Sequence, residues 1–440
     1  MTYCNYPAQA GGNCSARHLL PAVLAVLLLL PVPAAAGITD LQDYLYDRYE
    51  VDLYGFVEAR GGLRLDRDED QRDASIGEGR LQLDFSRFVG DGELRFKTDL
   101  LADGVEEELG LEVREAYYDF YPHPAVDARL GRQVLTWGTG DLLFINDVFA
   151  KDWESFFIGR DDEYLKRPSD ALRLGIFRGP VDIDLVYIPL VTHSRYIDGS
   201  RLSYWHGPTG QIAGREQVMA DRQRQRVFRD SEYALRLSRH QGSTEYALYG
   251  YYGFWSTPEG MEAAGGRLLY PRLAVYGASV RRPLVGGISN LEIGYYDSRD
   301  DRAGTDPLVR NSELRLLLGH DRELARDLTA GLQYYLERKL DYNSYRASLA
   351  PGAPADDRHR HLLTLRLTRL WWQQTLELSL FAYWSPSDQD AHLRPKAHYQ
   401  INDRLALEAG ANLFTGSDDH TFWGQFADNS NIYLGLRRSF

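Results

Sequence analysis

The chain has 440 residues, 44% of them hydrophobic, with a mean hydropathy of −0.42, which is too polar for a polytopic helical membrane protein. Acidic residues number 63 against 50 basic ones, for a net charge of −13. Nucleic acid is excluded as a partner, because phosphates demand a basic footprint. Both cysteines, Cys4 and Cys14, fall before residue 37. The rest of the chain has no thiolate for a disulfide, a metal site or haem attachment.

The first element is an apolar run, Leu19 to Leu30, preceded by Arg17 and His18 and followed by Ala34-Ala35-Ala36. A basic flank, a short apolar stretch and an A-x-A site predict a secretory signal peptide over residues 1–36. The run is shorter than the ~20 residues of a membrane-spanning helix. Residues 37–50 form a short periplasmic segment in this reading, helical from Leu41 to Glu50. Residues 51–440 form one domain.

Beyond residue 50 the pattern is period two. Leu314, Leu316 and Leu318 alternate with Glu313, Arg315 and Leu317; Leu363, Leu365 and Leu367 alternate with Thr364, Arg366 and Thr368. In the last strand Ile432, Leu434 and Leu436 alternate with Asn431, Tyr433 and Arg437. Such alternation over about ten residues marks a barrel strand with one face in lipid and one in the lumen. Eighteen segments qualify, starting near residues 51, 78, 92, 110, 127, 170, 181, 230, 244, 269, 288, 311, 327, 358, 374, 391, 404 and 429. Short and long links alternate between them, as short periplasmic turns and long external loops require. The predicted fold is all-β: a transmembrane antiparallel up-and-down barrel of about 18 strands, within a range of 16–20. An even count places both termini in the periplasm. The 29 tyrosines and 8 tryptophans, often near strand ends, suit interfacial girdles.

The last strand, Asn431 to Phe440, resembles the C-terminal strand of outer-membrane barrel proteins. That resemblance implies that Phe440 marks the chain for the barrel-assembly machinery. The stretch Leu130-Gly-Arg-Gln-Val-Leu-Thr-Trp-Gly-Thr-Gly-Asp-Leu142 is similar to a strand-and-loop motif of porin-like barrels, including alginate-export-type channels. The inward faces are mixed in charge, not dominated by Arg and Lys as in a dedicated polyanion exporter.

Alternation assigns Asp52, Glu58, Arg60 and Arg64 to the pore lining on the first strand, and Arg95, Lys97 and Asp99 on the third. Arg173, Arg236, Arg315 and Arg366 follow, with Glu292, Glu337, Glu377 and Glu408. A barrel this wide holds water unless plugged, and opposed acids and bases across it select solutes by charge. The 30-residue link after Trp137 carries Asp141, Asn146, Asp147, Asp152 and Trp153, and a long link is commonly functional. It is predicted to fold into the lumen and narrow it. Residues 191–229, rich in Arg and aromatics, read as a solvated surface loop.

Other chemistry finds no foothold. Asp66, Asp68 and Asp70 begin like a calcium loop, but Gln71 and Gly77 stand where glycine and an acid are needed. The histidines do not cluster as zinc ligands, and no G-x-S-x-G elbow is present. No metal, cofactor or covalent catalysis is expected. The expected function is an outer-membrane, Gram-negative-type channel for a hydrophilic solute or polymer, in contact with lipid and lipopolysaccharide. The alternatives are a barrel that binds surface polysaccharide through its external loops and, last, an outer-membrane hydrolase.

Overall fold

The computed structural model describes residues 33–440. The expected leader therefore lies outside the described residues, apart from its last four positions. These open helix α1, Pro33–Tyr49, which begins before the predicted Leu41. The helix leads directly into the first strand, and Gln42 donates a hydrogen bond to the Leu53 carbonyl.

Eighteen strands follow. In order they are β1 (Asp52–Arg64), β2 (Ala74–Val89), β3 (Gly92–Asp103), β4 (Glu108–His123), β5 (Val126–Val134) and β6 (Pro168–Phe177). Then come β7 (Asp182–Ile188), β8 (Glu232–Gln241), β9 (Thr244–Phe254), β10 (Arg272–Leu284), β11 (Gly287–Ser298) and β12 (Glu313–Ala325). The last six are β13 (Leu328–Lys339), β14 (His359–Trp371), β15 (Leu376–Ser385), β16 (Asp390–Asn402), β17 (Leu405–Gly416) and β18 (Asn431–Ser439).

Each strand pairs antiparallel with its sequence neighbours, and β1 closes the ring on β18 through nine residue pairs, Phe56 with Ser439 to Arg64 with Asn431. Closure leaves no free sheet edge, which a lipid environment demands because nothing there satisfies an orphan backbone group. The C-terminal residue completes the seam: Phe440 and Gly55 exchange backbone hydrogen bonds.

The links sort by rim. At the rim that holds both chain ends the turns are tight, as at Val285-Gly286, where both residues adopt positive φ (52° and 71°), the geometry that suits a two-residue hairpin. The opposite rim carries the long loops. Two predicted long links, 102–109 and 386–390, are instead four-residue turns between β3 and β4 and between β15 and β16. Polar residues such as Asp103 and Glu108 continue the ladder there beyond the apolar band that marks a strand in sequence.

Outward positions are apolar and uncovered. Leu94, Phe96 and Leu100 on β3 are exposed while Asp99 between them is buried, and Ile432 and Leu434 on β18 are exposed while Asn431 and Tyr433 are buried. A water-soluble protein does not expose apolar rows on this scale; a membrane barrel does. The hydrophobic core is inside the ring. It joins Ile145, Phe149, Phe156, Phe157, Ile158 and Leu165 from the link between β5 and β6 to Leu317, Tyr335, Tyr383 and Phe414 from the wall.

Candidate functional site: a loop across the lumen

The segment 135–167 leaves β5, crosses the barrel and returns to β6. Arg160 reaches Glu78 on β2 at 2.6 Å. Asn146 donates its backbone N–H and its amide to Glu292 on β11, at 2.7 and 2.9 Å. β2 and β11 lie half the eighteen-strand circumference apart, so a segment touching both must pass through the interior.

Local chemistry shapes the crossing. Asp152 caps a six-residue helix, α2 (Trp153–Ile158), by accepting from the Ser155 N–H at 2.8 Å. It also holds Arg195 at 3.0 Å. Gly159 ends α2 with φ of +85°, and its Cα sits against the Tyr433 ring, where a Cβ would collide. Trp153 packs on Phe144, Phe156 and Phe157, and Trp137 on Phe149 and Tyr249. Asp147 is buried and accepts from Lys151 and Thr136, both at 2.9 Å. Asp141 exchanges two hydrogen bonds with Gln333 on β13, each 2.8 Å.

The two sides of the crossing differ. Toward β1–β3 the ion pairs are dry. Arg80 meets Asp99 at 2.6 Å and Glu78 at 3.3 Å, with side chains no more than 3% exposed. Arg60 meets Glu408 at 2.7 Å and Glu58 at 3.2 Å, and donates to the Gly159 carbonyl at 2.5 Å. Arg64 donates to the Arg201 carbonyl. Of these, Arg60 holds the inward loop through Gly159, as Arg160 does through Glu78, and Arg64 holds the segment 189–231.

Toward β14–β16 the loop acids are wetter, although Arg394 is buried. Asp141 meets Arg366 at 2.7 Å with 33% and 41% exposure. Asp162 meets Arg394 at 3.0 Å and Lys396 at 3.4 Å, and is itself 41% exposed. A cavity of about 70 Å³ lies here, lined by Asp162, Arg366, Glu377, Arg394, Lys396 and Tyr433. Loop acids thus meet wall bases beside this cavity. Burial pushes the Asp141 carboxyl above the usual carboxylate range, only partly countered by Arg366. Burial acts on Asp162 too, but Arg394 and Lys396 outweigh it and hold that carboxyl below the usual range.

The remaining expected lining residues, Arg315 near the loop rim excepted, sit nearer the turn rim, in strand-to-strand pairs. Arg95 meets Asp84 at 2.7 Å and Lys97 the same acid at 3.5 Å. Arg173 and Arg236 share Asp184 at 2.8 and 3.3 Å. Arg315 meets Glu313 at 2.7 Å. Asp52 is half-buried at the first position of β1. Sequence reasoning missed Glu78, Arg160, Arg394 and Lys396. Arg394 and Lys396 had a readable signal, since they sit on the opposite face of β16 from Leu393.

The first part of the segment 189–231 is not solvated, whereas most of residues 207–229 are exposed. Arg201 is 2% exposed and ion-pairs with Asp103 on β3, and Ser203 exchanges hydrogen bonds with Asn429 at 3.0 Å. It runs over the mouth from β7 to the far wall, roofing the inward loop.

This architecture has solved counterparts. It matches Acinetobacter baumannii OccAB1 with a TM-score of 0.55 at 9% identity, over 89% of this chain and 97% of that one. Pseudomonas aeruginosa OccK11 (OpdR) matches at 0.52 and 10%, over 89% and 96%, and OccD3 (OpdP) of the same organism at 0.51 and 11%, over 89% and 91%. At such identities the likeness is one of fold. No family model matches the sequence, and no curated protein matches it.

Proposed function

We propose that this protein is an outer-membrane channel whose narrowest passage is the gap between the inward loop and the wall formed by β14–β16. The turn rim and both termini face the periplasm, and the loop rim faces the medium. One observation carries the reading: Arg160–Glu78 is a dry anchor on one side of the loop, whereas the loop acids Asp141 and Asp162 on the other side are water-exposed. Asp141 and Asp162 on one bank and Arg366, Arg394 and Lys396 on the other set a transverse field, which orders water and favours polar solutes over apolar ones. The finer likeness to alginate-export-type barrels rests on residues 130–142. A gap with acids on one bank suits small solutes better than a polyanion. Phe440, sealed against Gly55 at the seam, is proposed as the assembly signal. Planar-bilayer recording tests the reading: the purified barrel should insert and conduct in discrete steps, and a folded barrel that inserts without conducting would refute it.

A further inference from the structure

On the outer face of the wall three tyrosines stand side by side at one height. Tyr187 on β7 pairs in register with Tyr233 on β8, and Tyr233 with Tyr252 on β9. Tyr233 and Tyr252 are exposed. Such rings collect where acyl chains give way to headgroups, so this row marks the membrane boundary at the loop rim. One row deeper, Leu185, Leu235, Gly250 and Tyr276 stand in register. A Cβ on Gly250 would meet nothing within 4 Å. The missing side chain leaves a notch between Leu235 and Tyr276, part of an open groove of about 460 Å³.

Just above the tyrosine row the chain juts outward. Ser231, on the same face as Tyr233 by alternation, reaches the Phe228 carbonyl at 3.2 Å and the Tyr233 hydroxyl at 3.4 Å. The turn 226–229 therefore stands on the lipid side of the wall. Val227 and Phe228 in it are 54% and 73% exposed, and Phe228 holds a φ of +65°, which a bulky residue rarely adopts. Arg226 and Arg229 flank them, both exposed. Neither guanidinium has an acid partner among the described residues: the adjoining Asp230 is buried, and is taken by Arg224 at 3.6 Å and by the Arg226 backbone N–H at 3.0 Å. Two free cations and two bare apolar side chains thus share one turn at headgroup level.

We propose that this turn and the notch beneath it bind one membrane lipid that carries a phosphate monoester. Val227 and Phe228 sink between headgroups, Arg226 and Arg229 hold the phosphate, and an acyl chain lies in the groove over Gly250. A monoester carries a charge of about −1.5 to −2 near neutral pH and so matches two unpaired guanidiniums, whose N–H groups suit phosphate oxygens. A diester carries only one charge. A second copy of the barrel is the poorer occupant, because a two-fold contact sets the same patch against itself and would bring these cations together. That the lipid comes from the leaflet facing the medium rests on the orientation proposed above; that it binds does not.

Native mass spectrometry of the full-length folded barrel in detergent tests the proposal, with dioleoyl phosphatidic acid, phosphatidylglycerol and phosphatidylcholine added in turn. The three share their acyl chains and differ in headgroup. Phosphatidic acid should bind at least about fivefold more tightly than phosphatidylglycerol, the worth of one further unit charge at ~4 Å in water. Arg226→Gln combined with Arg229→Gln should weaken phosphatidic acid about 25-fold, about fivefold for each arginine at a lipid surface, and phosphatidylcholine far less. Inorganic phosphate, which has the charge without the chains, should not displace the lipid at equal concentration. Equal binding of the three lipids would overturn the site, as would undiminished phosphatidic acid binding in the folded double variant or displacement by inorganic phosphate. A barrel that dimerises and takes up no lipid would give this face to a second copy and end the proposal. The wild-type comparison decides even where the variant does not fold. Bilayer recording on the same sample keeps the two proposals apart: a silent barrel that binds phosphatidic acid ends the channel reading alone, and a conducting barrel that does not bind it ends this one alone.

Discussion

Arg366 and Asp141 show how a single residue sets the character of the gap. Their exposure keeps the pair worth little as a stabilising contact, so in the proposed channel its value is the charge it presents to passing ions. Arg366→Ala removes one positive charge, worth about 1 kcal/mol to an ion ~4 Å away in a watery pore. Cation passage should therefore gain and anion passage lose about fivefold each, so that the cation-to-anion permeability ratio rises about 30-fold, read as a reversal potential under a salt gradient. Acidification should act oppositely. Asp141, raised by burial, takes up its proton at a higher pH than Asp162, which is held low by Arg394 and Lys396. Cation preference should fall as pH drops, in an earlier step for Asp141 and a later one for Asp162. Asp141→Asn should erase the earlier step, and an unchanged titration would contradict the assignment. Arg366 was legible in sequence from its alternation with leucines, and Asp141 from its unusual loop. Their meeting was not, because alternation assigns a residue to a face without saying what stands across the lumen from it.

At the level of elements, the inward loop is held by a few non-local contacts. Arg160 on Glu78 is the driest ion pair among them, and removing one partner of a buried pair costs about 3–5 kcal/mol. Arg80 at 3.3 Å and Arg201 at 3.9 Å remain near Glu78, which favours the lower end. Arg160→Ala should speed amide exchange across residues 153–166 by about 100-fold or more, at about 1.4 kcal/mol per decade. Protection equal to the wild type would show that Arg160 does not hold the loop. Gly159→Ala should loosen the same segment, because a left-handed φ costs an L-residue about 1–2 kcal/mol and the added Cβ meets Tyr433. The strands themselves were legible, since each predicted start lies within a few residues of the observed one. Lipid on one side and polar groups on the other impose period two on every strand alike. The first part of the roofing segment, up to residue 206, was misread because its charges suggest water. Arg201 instead ends in a buried pair that only the closed barrel brings together.

The whole molecule departs from the simplest expectation of a membrane barrel. Its outside is apolar, as period two requires, but its inside also carries a hydrophobic core, built where Phe156, Phe157 and Ile158 meet Tyr383, Phe414 and Tyr433. A lumen too wide for wall side chains to fill is filled here by chain folded into it, leaving a small charged gap beside the wall. Strand patterning specifies the ring without specifying its contents, so the plug became visible only with the tertiary contacts. The account stands on the inward loop as the element that limits passage. Single-channel conductance of the native barrel and of a variant lacking residues 141–165 tests this most directly. The native protein should conduct in small, discrete steps and the shortened one in steps several times larger; equal conductance in a folded, inserted variant would contradict the account.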